Sequence, residues 1–557
     1  MFDESTIPTY THLYSVSDLH LGGYSGAWGV KPRDFRNFKD GPALAWLIDD
    51  VSRVADTCPR TALVLAGDVV DFLACRNARP FDPQNALLNL KGIIADNAFR
   101  PVWEALRRFV AAGNGDLVIL LGNHDVELAL PHVQSYLVRY LTGGDDNARL
   151  HLILAMDGRG FRCRVGNAEV LCVHGNEVDE YNAVDFGALH LVARAVNFEA
   201  LLPSFTVNAG STLVATAMND IKRRFQWVDL LKPERETAIR IIGALPRELF
   251  HEVSLKRAVD AVLRIAAIAR RDSVRIEKGL LGDPETVSEE DAVEAHVSST
   301  LTQLLGPSRS GDLSDTETLI AEAERLLREG TRPVDLLAVD EMGGVEDKPE
   351  MLGVLKDVWT AIIRDTGAKK RTLRETLEEV LTYDVSFSPL AAPDAALSKL
   401  DKRVGTDIHF LLAGHTHFEK SLERFFGGTY YFNSGTWIPL IDLQDRLDEE
   451  TFDKVWNILL DGSMACLEGT VGAPKLQNAL SDDVDPDTLE RQAEMKLTHV
   501  TRTVVHLEAL TDTRADEESM QRGAVIGELA HVNGGGGAPF SLDRVNGTRR
   551  IWYPRGV

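Results

Sequence analysis

Short apolar runs alternate with amphipathic segments over the first 180 residues. Runs at 12–16, 63–66, 117–121, 150–155, 161–165 and 170–173 end in glycine or polar turns, which predicts buried strands. Between them, residues 42–54 set Leu44, Leu47, Ile48 and Val51 at helical spacing. Residues 86–112 read as a helix interrupted near Pro101, and 133–141 as another. Strand and helix in alternation predict an α/β sheet with helices on both faces.

Beyond residue 185 the period changes. As far as about 381 the pattern is mostly helical, most clearly at 255–269, where Leu255, Val259, Val262, Leu263, Ala266 and Ala269 line one face. Further helices are expected at 211–224, 289–305, 315–328, 352–364 and 370–382, with loops at 306–314 and 330–349. The strand pattern resumes at 408–413 and 429–432. In the tail, 498–507 and 550–553 read as strands extending a second sheet, and 449–476 and 481–494 as helical or irregular. The four glycines at 534–537 read as a flexible connector. The expected organisation is a sheet domain in two parts, 1–185 and 386–557 (the latter with a C-terminal extension), separated by a helical insertion or cap, 186–385.

Composition narrows the class. A chain of 557 residues exceeds one compact core, and 44% hydrophobic with 26% charged content is that of a globular protein. A formal net charge of −24 argues against a duplex nucleic-acid surface but not against a small phosphorylated substrate, because a bound cation can supply the local positive charge. Five cysteines with no Cys-x-x-Cys spacing predict reduced thiols and a cytoplasmic setting. The N-terminal ten residues lack a basic and an apolar signal region, and no run of 18 apolar residues occurs. No transmembrane segment is expected, peripheral membrane contact stays open, and oligomeric state is not indicated.

Five of the strand-like runs end in candidate metal ligands. They are Asp18-Leu19-His20, Gly67-Asp68-Val69-Val70-Asp71, Gly122-Asn123-His124-Asp125, His174-Gly175 and Gly414-His415-Thr416-His417. Each has an ordinary reading as a turn or a core histidine. Jointly they offer Asp18, Asp68, Asn123 and histidines 20, 174, 415 and 417, about the donor set two ions need, and five of the fifteen histidines fall in these stretches. Asp68, at the C-terminal mouth of its strand, is the expected shared ligand. Asp71 reads as a helix-start carboxylate or as an acceptor that orients a ligand.

The five blocks resemble, in order, the motif series of the calcineurin-like metallophosphoesterase superfamily, over about residues 10–180 and 405–440. The resemblance implies a four-layer α/β/β/α sandwich with a large helical insertion and two divalent ions (Mn, Fe or Zn) at the strand ends. It implies that Asp18, His20, Asp68 and His417 hold one ion, and Asp68, Asn123, His174 and His415 the other. His124 would contact phosphate, with Asn123 beside it, and act as general acid, oriented by Asp125. The expected function is hydrolysis of a phosphodiester or pyrophosphate in a small nucleotide-like substrate by a metal-bound hydroxide.

Other readings are a phosphomonoesterase or phosphoprotein phosphatase, a nuclease, and a catalytically silent scaffold of the same fold. His174 and His415 are 241 positions apart, room for a lid. The stretch Lys222-Arg223-Arg224-Phe225-Gln226-Trp227 offers a phosphate contact and a base stack, or a solvated face with a core aromatic. Residues 174–179 and 433–437 resemble bacterial UDP-diacylglucosamine pyrophosphohydrolases. Those carry arginine where His124 stands, which points toward a more general phosphodiesterase or phosphatase.

Overall fold

Strands buried on both faces need cover on both sides, and this chain provides it with helices outside and a second sheet inside. The computed structural model describes residues 7–28, 31–179, 181–222, 225–231, 387–393, 395–473, 493–510 and 523–554, with isolated positions at 370, 373–375, 377–378 and 491. The architecture is mixed α/β. By contacts the chain divides into Met1–Val207, Ser386–Pro439 and Val500–Val557 in one unit, and Asn208–Val385 with Leu440–His499 in the other.

The strands are β1 (Thr9–Tyr10), β2 (His12–Val16), β3 (Leu21–Gly22), β4 (Ser25–Trp28), β5 (Lys31–Asp34), β6 (Thr61–Ala66), β7 (Val70–Asp71), β8 (Gly115–Leu120), β9 (Leu152–Ala155), β10 (Phe161–Val165) and β11 (Ala168–Cys172). They continue as β12 (Phe410–Ala413), β13 (Glu419–Glu423), β14 (Tyr430–Ser434), β15 (Leu440–Ile441), β16 (Thr498–His499), β17 (Thr503–Ala509), β18 (Val525–Gly535), β19 (Ala538–Arg544) and β20 (Arg550–Trp552).

In the first unit an eight-stranded sheet runs β19-β18-β17-β2-β6-β8-β9, with β20 pairing β18, and a six-stranded sheet runs β1-β10-β11-β12-β14-β13. Leu13, Val64, Val118, Val505 and Leu507 of the first sheet share a core with Val170, Phe410, Leu412 and Phe432 of the second. The other face of the first sheet carries α1 (Gly41–Thr57) and, beyond α2 (Ala86–Ala95), α3 (Arg100–Ala112). The predicted helix 86–112 is thus two. The break lies at 96–99, and Pro101 sits in the first turn of α3, where its missing N–H costs nothing. On the second sheet, Leu397 and Leu400 of the short helix Ala395–Asp401 pack on Leu411 and Tyr431.

Two expectations for the tail are corrected. Strands β17 and β20 join the sheet of β2 and β6, because β17 takes the free edge of β2 and turns Val505 and Leu507 into the inter-sheet core. The glycines at 534–537 end β18 and make the two-residue turn to β19, and all four have positive φ, which only glycine adopts without strain. Strands β13, β18 and β19 were not legible in the pattern.

In the second unit, the helix Glu449–Asp461 buries Val455, Trp456 and Leu459, and Trp227 Nε1 donates to the Leu459 carbonyl at 2.7 Å. Phe225 and Trp227 are core residues, and Lys222 is buried in an ion pair with Asp229. Neither aromatic is placed to stack on a base; Arg223 and Arg224 lie outside the described residues, as does nearly all of 232–386 with the helices expected there. Among the described residues, no helix is long and apolar enough to cross a membrane.

Candidate metal centre

Register brings the motifs to one edge. Strands β2, β6 and β8 are parallel, with Val16 beside Leu65 and Leu65 beside Ile119, so Asp18, Asp68 and Asn123 follow side by side. In the second sheet Cys172 lies beside Leu412, which sets His174 next to Gly414 and His415. The C-terminal ends of the two sheets meet at this edge, and the ligand loops interlock. The Asp18 and His20 amides donate to the carbonyls of Gly67 and Asp68 at 3.1 and 2.9 Å, and the His415 amide donates to the Asp18 carboxylate at 2.9 Å.

Backbone strain marks the same residues. Among the described residues nine non-glycines have positive φ, and five of them are Asp18, His20, Asp68, His415 and His417. Each such conformation costs about 1 kcal/mol or more. Strain concentrated on prospective ligands fits a site whose geometry is held for function. Gly122 shows how closely the loops pack, since a Cβ there would lie 2.1 Å from Asp68 Oδ1.

The side chains converge. His20 Nε2 and His417 Nε2 are 3.3 Å apart, and His417 Nε2 is 3.3 Å from Asp18 Oδ1. Asp68 Oδ2 lies 3.9 Å from His20 Nε2 and 3.3 Å from His174 Nε2. Asp18, His20 and His417 form one group able to hold an ion, Asp18, Asp68 and His174 another, and His20, Asp68 and His124 a third, so the two carboxylates stand between the histidines of both sheets. Asn123 is buried next to them, its amide nitrogen 3.4 Å from Asn182 Oδ1. His415 belongs to none of these groups. Its ring centroid is 5.3 Å from that of His174, and its Nε2 is held 2.9 Å from Asp179 Oδ2, so Nδ1 is the atom it can turn to an ion.

These residues fit a metal. The His174 Nδ1 contacts the Ala66 carbonyl at 2.9 Å, which makes Nδ1 the protonated nitrogen and aims the Nε2 lone pair at Asp68 and Asp18. A lone pair facing two buried carboxylates needs a proton or a cation between them. Without a metal the proton takes that place. Burial opposes a charged His174, but the charges of Asp68 and Asp18 outweigh it and push its pKa up to about 10. Burial would likewise raise Asp18 and Asp68, but the imidazoles beside them, His174 foremost, hold both well below the usual carboxylate range. Nitrogens 3.3 Å apart also match a tetrahedral ion with bonds of about 2.0–2.1 Å.

His124 and Asp125 are arranged differently from the expectation. The Asp125 carboxylate accepts from the amides of Gly122 at 2.7 Å and Val69 at 2.8 Å, bracing two loops. Burial, then the nearby Asp68 charge, pushes its pKa up to about 7. The group at the His124 ring is Asp71, whose Oδ1 is 3.2 Å from Nδ1 and whose Oδ2 is 3.4 Å from His20 Nδ1. Asp71 also accepts from the Ala74 amide at the start of a short 3-10 helix, so it both starts a helix and braces the His124 and His20 rings. The reason lies in the strands. Asp125 follows its loop back toward β6, whereas β7 carries Asp71 beneath both imidazoles.

Two supports were missed. Asp179 stands five residues after His174, in a stretch noticed for resemblance but not for chemistry. The segment 433–437 buttresses the edge, with Thr436 Oγ1 donating to the Asp18 carbonyl at 2.7 Å and Asn433 Nδ2 to the Gly414 carbonyl at 2.8 Å. Comparison of the chain with protein-family models, with curated proteins and with solved structures finds no match.

Proposed function

We propose that the first unit is a metal-dependent phosphoester hydrolase built as a four-layer α/β/β/α sandwich of the metallophosphoesterase type. Its substrate would be a phosphodiester or pyrophosphate in a small nucleotide-like molecule. The observation that carries this reading is the convergence of Asp18, His20, Asp68, His174 and His417, from both sheets, around two fully buried carboxylates. Asp18, His20, Asp68 and His417 would hold one divalent ion (Mn, Fe or Zn), and Asp68, Asn123, His174 and His415 a second. When bound, the pair supplies positive charge to phosphoryl oxygens and makes water a nucleophile near neutral pH.

The chain's own groups divide the remaining work. His124 is fixed at its amide, which donates to Asp68 Oδ1 at 2.8 Å, and at its ring by Asp71. The Asp71 carboxylate beside Nδ1 orients the ring, so Nε2 is the nitrogen that can pass a proton to a departing oxygen. Burial opposes an ionised Asp71, but His124 and then His20 outweigh it and keep its pKa well below the usual range. Asp71 therefore stays ionised beside that ring across the neutral range. Asp179 is held ionised in the same way by His415, against the opposing effect of burial, and fixes that ring.

The test is turnover with added Mn²⁺ of aryl monoesters, aryl diesters, cyclic nucleotides and nucleoside diphosphate esters. Diester or pyrophosphate hydrolysis abolished by Asp68→Asn supports the proposal. Inertness toward all four classes by a metal-loaded protein favours the scaffold reading.

A further inference from the structure

We propose a separate transition-metal site on the helix-covered face of the eight-stranded sheet, formed by His12, His506 and Glu508, which takes Zn²⁺ or a similar imidazole-preferring ion. It lies outside the cluster around Asp68 and does not depend on the hydrolase reading. Strands β2 and β17 are antiparallel, with Tyr14 opposite His506 and His12 opposite Glu508. Leu13, Val505 and Leu507 point into the inter-sheet core, so the alternate residues His12, Tyr14, His506 and Glu508 share the other face.

Three observations point to an ion. First, His12 Nδ1 and His506 Nε2 are 3.2 Å apart, close to the ~3.3 Å spanned by two nitrogens on a tetrahedral ion with bonds of about 2.0–2.1 Å. Glu508 offers an oxygen within 4.8 Å of a ring nitrogen of each, completing a His2Glu set.

Second, the remote nitrogen of His506 faces a carboxylate. His506 Nδ1 lies 4.0 Å from Glu528 Oε1, and Glu528 is fixed by Arg544 Nε at 2.9 Å. At that distance Glu528 supports the ring electrostatically, on the side away from His12, where metal-bound histidine commonly has a carboxylate. Third, the surroundings are anionic. Glu508 and Glu528 both face this pair of rings. The ring of Tyr14 stacks on His506 with centroids 4.3 Å apart, which limits its rotation.

All three ligands are half-buried, so a fourth position would open to water. The consequence is a clip between residues 494 positions apart, joining the strand that leads to Asp18 to the C-terminal segment. The experiment is Zn²⁺ titration of the chelator-stripped full-length protein, counted after equilibrium dialysis, in wild type, His506→Ala and Glu508→Gln. Each variant should bind one ion fewer per chain, or bind it at least 100-fold more weakly, and keep its hydrolytic rate within twofold. Glu528→Gln should weaken that ion about tenfold.

The same ion should persist in Asp18→Asn/Asp68→Asn, which separates this site from the main cluster. Unchanged stoichiometry and affinity in both His506→Ala and Glu508→Gln would overturn the proposal, as would occupancy seen only at millimolar Zn²⁺. If His506→Ala does not fold, the isosteric Glu508→Gln decides by the same readout.

Discussion

Asp71 touches two imidazoles and a helix start, so its removal should be felt in turnover before stability. Asp71→Asn keeps the shape but withdraws the charge beside His124 and His20. The expected result is a loss of about 10²-fold in kcat with metal content largely kept, measured by steady-state hydrolysis beside elemental analysis. Gly122→Ala should act the other way. A Cβ 2.1 Å from Asp68 Oδ1 must displace that carboxylate, so metal content and activity should fall together. Glu127 gives a pH test outside the ligand loops. It is buried and accepts the Asp82 amide at 3.0 Å, and burial pushes its pKa up to about 8 against the pull of that donor. A raised carboxyl pKa means that stability is fullest below the ordinary value of 4.5 and is lost as pH rises through about 8. Glu127→Gln should therefore flatten the decline by a few kcal/mol at most, on the order of its shift, in denaturant melts from pH 5 to 9.

At the scale of elements, the strap at 433–437 holds up the ligand edge without contributing a ligand. Thr436→Val removes the donor to the Asp18 carbonyl and should cost about 1 kcal/mol of stability. It should also weaken metal binding about tenfold, read by chelator competition. This part of the molecule also shows what a sequence can and cannot disclose. The loops that meet at this edge were legible because buried parallel strands are continuous apolar runs, and their ends fall at Asp18, Asp68, Asn123, His174 and His415 whatever lies between. Asp179 and Thr436 carry no such signature. Their role depends on contacts such as His415 to Asp179, 236 positions away, and Thr436 to Asp18, 418 away. Strand β19 escaped because its face is exposed and mixed, and the Asp71–His124 pairing because adjacency favoured Asp125.

At the scale of the molecule, the C-terminal segment belongs inside the sheet. Strand β17 pairs β2 on one side and β18 on the other, so β2 without residues 500–557 would present an open edge and leave Val505, Leu507 and Leu529 missing from the inter-sheet core. A chain ending at 499 should fail to give a cooperative thermal transition, while deletion of the exposed hairpin tip 534–537 should leave one. The division of the chain is likewise spatial rather than sequential, since 440–499 groups with 208–385 while both flanks of 440–499 belong to the sheet unit.

The central claim is that Asp68 is shared by two ions serving phosphoester hydrolysis. It is tested most directly by anomalous scattering from Mn²⁺-soaked crystals of the wild type and of Asp68→Asn, alongside aryl phosphodiester turnover of the same preparations. Two wild-type peaks that share the Asp68 carboxylate are expected, with loss of at least one peak together with turnover in Asp68→Asn. An active wild type with no peak at Asp68, or an Asp68→Asn protein that keeps both peaks and full turnover, would contradict it.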